Sequence, residues 1–222
     1  MRFFALVSLC ASFNAVAEVV DFESMKLGEP PPAWTFTATG DGAPSRWEVI
    51  LDPPSPDGAN VLGQLSAVRS FSRFPLAIYP GPDIANGTLS VRLKPVSGGV
   101  DQAGGLIWRF RDERNYYVVA ASALEHNVRL VKVLDGRRRV LASSGRLTRN
   151  DEFGVDLPIL TGRWSQLRVS FAESRFVVFL DDERLFAVDD TTFSQPGRVG
   201  LWTRGDSVTY FDRFEVSSAT KE

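Results

Sequence analysis

The sequence predicts an all-β protein, a two-sheet antiparallel sandwich of the jelly-roll type, on three observations. Helical periodicity is nearly absent: no window of more than ten residues keeps apolar groups at i, i+3, i+4 and i+7 without an interrupting Gly, Pro or β-branched cluster. Short runs rich in β-branched and aromatic residues recur instead, separated by turn residues. The clearest of them, Gly104-Gly105-Leu106-Ile107-Trp108-Arg109-Phe110-Arg111, is followed by the polar turn Asp112-Glu113-Arg114-Asn115 and then Tyr116-Tyr117-Val118-Val119-Ala120, the form of a β-hairpin.

Strands are expected near 19–23, 34–38, 47–52, 61–65, 76–79, 87–95, 104–111, 116–123, 128–134, 138–143, 165–172, 175–181, 184–188, 199–204 and 208–216. Side chains alternate across a strand, so faces can be assigned by parity. Leu106, Trp108 and Phe110 share the inner face, and Ile107, Arg109 and Arg111 the outer one. Val199 and Leu201 go inward, which leaves Trp202 and Arg204 outward; Val128 and Leu130 go inward, with Arg129 outward. Leu167, Val169 and Phe171 alternate with polar neighbours, as in a strand with one wet face. Phe176-Val177-Val178-Phe179-Leu180 is apolar on both faces and is expected to be a covered central strand. The proline runs Glu29-Pro30-Pro31-Pro32 and Asp52-Pro53-Pro54-Ser55-Pro56-Asp57 must be loops, because proline lacks a ladder donor.

The amino terminus has the form of an export signal: Met1-Arg2, an almost wholly apolar run from Phe3 to Leu9, and Ala15-Val16-Ala17 before Glu18. Residues 1–17 are expected to be a signal peptide cleaved after Ala17, and 18–222 one β-sandwich domain. Leu9 before Cys10 does not suit a lipidation site. The expected location is periplasmic or extracellular. Removing residues 1–17 removes the one cysteine, so the domain must rest on its hydrophobic core. The whole chain carries 25 basic and 27 acidic residues, no footprint for nucleic acid or an anionic membrane. A monomer is expected.

Few residues of the sequence are patterned for catalysis. No Glu-x-Asp-x-Glu strand offers paired carboxylates on one face. Asp181-Asp182-Glu183 sits between two apolar runs, as a hairpin turn does. The single histidine, His126, excludes multi-histidine metal sites, and no Gly-x-Ser-x-Gly elbow accompanies it. Asp21, Glu23 and Asp212 could flank a structural calcium if the first and last strands are neighbours; otherwise they are charges on an edge strand. No other cofactor is expected. The run Asp135-Gly136-Arg137-Arg138-Arg139 is a turn leading into a charged strand, or a contact for an acidic polysaccharide or phosphate surface.

Val20-Asp21-Phe22-Glu23, the segment 28–34, Trp47-Glu48-Val49, the hairpin at 104–110, Trp164 before Leu167-Arg168-Val169, Pro196-Gly197-Arg198-Val199-Gly200-Leu201-Trp202 and the closing Tyr210-Phe211-Asp212-Arg213-Phe214-Glu215-Val216 together resemble secreted domains of the concanavalin A-like lectin/glucanase superfamily. Within it the chain is most similar to the 3-keto-disaccharide hydrolase and laminin-G-like groups, over roughly residues 19–217, although the hydrolases' usual Leu-Phe-Asn-Gly-Lys-then-Trp opening is missing. The resemblance implies two curved sheets, a groove, and carbohydrate recognition across it. The function expected is carbohydrate binding without catalysis, with an oligosaccharide or polysaccharide partner. The alternatives are a glycoside hydrolase and an envelope protein-interaction module. Candidate ligand-binding residues are Arg109, Arg129, Trp202 and Arg204 by parity, with Tyr117 and His126 added; aromatic faces stack on sugars and planar guanidiniums bind hydroxyls.

Overall fold

A computed structural model describes residues 15–40, 42–143 and 157–219, and among these it has fifteen strands and no helix. One sheet runs in the order β13 (Glu183–Asp189), β12 (Arg175–Leu180), β11 (Ser165–Ala172), β6 (Gly87–Ser97), β15 (Val208–Ala219), β4 (Asn60–Gln64) and β3 (Trp47–Leu51), with β1 (Ala15–Val20) also paired to β15. The other runs β10 (Arg137–Ser143), β9 (Asn127–Leu134), β8 (Asn115–Ser122), β7 (Ala103–Asp112), β14 (Arg198–Thr203), β5 (Phe74–Ile78) and β2 (Thr35–Thr39). All neighbours are antiparallel, so the protein is an all-β two-sheet sandwich.

Every expected strand overlaps an observed one, and the first is displaced most. It ends at Val20 because Phe22 turns into the left-handed region (φ 62°) and drops its ring into the core. Glu18, Val19 and Val20 pair with Val216, Glu215 and Phe214, so cleavage after Ala17 would leave that part of β1 in place. Residues 1–14, with Cys10 and most of the expected signal, lie outside the described residues.

Between the sheets lies a core rich in rings. Trp108 stacks on Tyr117 with ring centres 5.4 Å apart and meets Phe176 edge-on at 5.3 Å; Trp34, Tyr79 and Phe214 form a second group. Parity places Val199, Leu201, Val128, Leu130, Leu167, Val169 and Phe171 correctly in this core.

It fails in two places. Between Ile107 and Phe110, with Arg109 at φ 49°, β7 carries one residue more than its neighbour β14, and this bulge reverses the alternation. Phe110 therefore leaves the inner face and packs beside Tyr116 on the outer side, ring centres 5.9 Å apart. The second failure is β12, which is not a covered central strand but lies one from the sheet edge. Val177 and Phe179 are only partly buried there, and the Arg168 guanidinium caps the Phe179 ring at 3.8 Å.

The outer face of the seven-stranded sheet is also dry. Phe74, Leu76, Ile78, Ile107, Tyr116, Val118, Val131, Val133 and Trp202 form a second apolar cluster there. Contacts between distant strands explain it. Strands β10 and β5 are five spacings apart, about 24 Å in a flat sheet, yet the Arg138 guanidinium lies 4.8 Å from the Phe74 ring centre. Thr39 of β2 and Tyr116 of β8, four spacings apart, share a hydrogen bond of 2.7 Å. The sheet must curl and twist toward its outer side, making a trough that its own side chains fill.

Candidate functional site

One end of this trough is polar. Asp101 before β7, Ser122 at the end of β8, Arg129 near the start of β9 and Arg204 just after β14 project there, joined by Glu125 from the β8–β9 turn. Arg204 Nη1 donates to Asp101 Oδ2 at 2.9 Å and to Glu125 Oε1 at 3.1 Å. Arg129 Nη1 lies 3.1 Å from Glu125 Oε2, and Ser122 Oγ donates to Asp101 Oδ1 at 2.6 Å. Two guanidiniums and two carboxylates thus form one continuous network on strand ends. His126 is exposed at its rim, held at φ 50° in the turn.

Register places the apolar flank. Arg129 pairs with Ala120, Ala120 with Gly105, Gly105 with Trp202, and Trp202 with Leu76. Arg129 and Trp202 therefore stand in one row about 14 Å apart, with only Ala120 and Gly105 between them. A side chain at Gly105 would come within 2.3 Å of the Val119 carbonyl oxygen, so that position must be glycine.

Trp202 is on the outer face, as parity predicts, but it is not an open stacking platform. It is 1 % exposed, stacks on Phe74 with ring centres 5.7 Å apart at 10°, and lies under Arg138, whose guanidinium is 5.9 Å from its ring centre.

Two expected ligand residues belong elsewhere. Arg109 is 2 % exposed, and its bulge turns it to the opposite end of β7. There Nη1 donates to the Phe193 carbonyl at 2.5 Å, and Nη2 to the carbonyls of Ala85 at 3.2 Å and of Glu173. It ties three loops together and lines a separate cavity of about 360 Å³. Burial lowers its pKa from the ordinary arginine value. Tyr117 is in the inter-sheet core, its hydroxyl donating to Asp190 Oδ1 at 2.6 Å. Arg129, Arg204 and His126 do lie together, with Trp202 beside them. Parity could not find Asp101 or Glu125, which sit outside the strands.

The residues expected to hold calcium do not fit that ion, although β1 and β15 are neighbours. Asp21 Oδ1 accepts from Glu23 N, and Glu23 Oε1 from Ala59 N and Asn60 N at 2.8 Å each. Asp212 is fully buried, bonded by the Ser55 hydroxyl and by Arg213 N at 2.7 Å. Burial pushes its carboxyl above the usual range, and the charges of Asp57 and Glu23 add to this. Among the described residues no group of three or more His, Cys, Asp and Glu is placed to hold a metal ion.

A second depression, about 650 Å³, lies where the β7–β8 and β9–β10 turns meet β2. Thr37, Thr39, Ser72, Glu113, Arg114 and Asp135 line it without an aromatic ring, and Thr37 Oγ1 donates to Glu113 Oε1 at 2.9 Å.

No protein-family model matches the chain, and no curated protein matches it by sequence. Solved structures do match in fold, among them a Bacillus subtilis protein described as having a galectin-like fold, with a TM-score of 0.53 at 9 % identity, over 85 % of this chain and 90 % of that one. Carbohydrate-binding module CBM66 from Bacillus subtilis aligns with a TM-score of 0.56 at 20 % identity, over 81 % of this chain and 94 % of that one. Domain 4 of AbnA, an extracellular GH43 arabinanase from Geobacillus stearothermophilus solved with arabinotriose, aligns at 0.56 and 13 % identity, over 93 % of each chain. The cellulose-induced protein Cip1 aligns at 0.59 and 13 % identity, over 91 % of this chain and 97 % of that one.

Proposed function

We propose that the protein is an exported carbohydrate-binding β-sandwich whose sugar docks at the polar end of the trough. The observation that carries this is the Asp101–Arg204–Glu125–Arg129 network, a set of charged donors and acceptors fixed on strand ends beside an apolar floor. A few placed polar groups against an apolar wall is the usual composition of a small-molecule site. Arg204 Nη2 makes no hydrogen bond to a described residue and is the donor for a sugar hydroxyl. The sandwiches it resembles include a carbohydrate-binding module and a domain solved with arabinotriose, which supports the reading.

Binding without catalysis is favoured because the site's carboxylates are engaged. Asp101 Oδ1 accepts from Ser122 Oγ and Gln102 N, its Oδ2 from Arg204, and both Glu125 oxygens meet guanidiniums. Neither is left to exchange a proton with a glycosidic oxygen.

A glycan array probed with the exported protein tests this. At least one saccharide should bind, and Arg204→Met should lower its affinity about tenfold or more while the protein remains folded. Binding to no saccharide would overturn the proposal. New products on incubation with the bound sugar would replace it with the glycosidase reading, of which the 3-keto-disaccharide hydrolase type is the form the sequence resembles. Export and cleavage after Ala17 predict an intact mass beginning at Glu18; a chain retaining Arg2 would reject that part.

A further inference from the structure

Arg138 stands apart from the other guanidiniums of the trough. Arg204 and Arg129 are matched by Asp101 and Glu125, but the Arg138 side chain makes no hydrogen bond or ion pair with a described residue, and its Nε is buried without a partner. It is half-buried over two rings, 4.8 Å from the centre of Phe74 and 5.9 Å from that of Trp202. Burial, then the nearby Arg204 charge, lowers its pKa from the ordinary arginine value. Among the described residues three guanidiniums meet two carboxylates here, in a chain whose net charge is −2. Cation–π contact offsets part of the cost of desolvating a guanidinium, on the order of 1–2 kcal/mol, but supplies no acceptor for its N–H groups. An oxyanion does, and a planar guanidinium suits it in bidentate geometry.

We propose that the saccharide docked at the polar end of the trough is acidic, and that Arg138 receives its carboxylate or sulfate group. This rests on the carbohydrate-binding reading and narrows it to one substrate class. Arg204 then donates to hydroxyls, while Arg138 selects for charge.

The test is titration of the whole protein with tetragalacturonate, its methyl-esterified form, a sulfated heparin tetrasaccharide and a neutral arabinan tetrasaccharide. At least one charged probe should bind tenfold or more tightly than the uncharged ones; which one separates carboxylate from sulfate. Arg138→Met should remove that preference, and Arg138→Lys should keep part of it. Arg139→Met, which changes the next and exposed arginine, should leave it intact. Thermal unfolding of each variant separates loss of fold from loss of site. Equal affinity for charged and neutral probes, or an equal loss in Arg139→Met, would overturn the proposal while leaving carbohydrate binding standing. Binding of none of these probes, with a neutral glycan found on the array, would also overturn it. An array with no hit at all would overturn the carbohydrate-binding reading itself.

Discussion

Trp202→Ala is expected to lower folding stability by about 3–5 kcal/mol, the cost of truncating a large ring in a packed environment. The residue is on the outer side of its sheet, where a lectin-like face would put a ring for stacking on sugar. It is nevertheless 1 % exposed, pressed on Phe74 and covered by Arg138. Its removal would open a cavity among Phe74, Tyr116 and Ile107 and leave the Arg138 guanidinium without one of its two rings. Urea unfolding at neutral pH measures the loss. A change below about 1 kcal/mol, the range of an exposed side chain, would show that the second apolar cluster does not support the fold.

The opposite positions of Trp202 and Leu201 were legible in the sequence, because alternation along a strand is local. The burial of Trp202 was not. It depends on curl of the seven-stranded sheet, which brings Arg138 and Phe74 together from strands with four others between them in the sheet order. No local pattern encodes that approach. Arg109 shows a different limit: its bulge needs one residue in a left-handed conformation, and Trp108-Arg109-Phe110-Arg111 contains no glycine or asparagine to mark it. Strand positions survive both errors, since turn residues such as Asp135-Gly136 and Asp181-Asp182 take the positive φ that hairpins require. The arginines of the site came from strand parity, whereas Asp101 and Glu125 lie where parity has no meaning.

Asp190→Ala is expected to cost about 2–3 kcal/mol, less than removing one partner of a fully buried ion pair because Lys132 and Asp190 are only part-buried. Asp190 follows edge strand β13 of one sheet and is grasped by residues of the other: Lys132 Nζ of β9 donates to Oδ2 at 2.7 Å, and Tyr117 OH of β8 to Oδ1 at 2.6 Å. Thr192 N adds a third donor at 2.8 Å. Without the carboxylate, the Lys132 ammonium keeps only the Thr192 hydroxyl, and the edge of the sandwich loses its clamp. Burial alone would raise the Asp190 pKa, but the bonds from Lys132, Thr192 and Tyr117 outweigh it and hold the group at about 2, below the 3.8 of an unperturbed aspartate. A folded value below the unfolded one means that the stabilisation is complete above about pH 4 and is lost as pH falls toward 2. Asp190→Asn, which keeps an acceptor for Tyr117 but not the charge, should therefore be clearly less stable than the parent protein at pH 7. That difference should shrink by roughly 2 kcal/mol as both are taken to pH 2. Unfolding curves across that range decide it: a difference that does not change with pH would mean that Asp190 acts there through shape and hydrogen bonding, and that its charge does not hold the two sheets together.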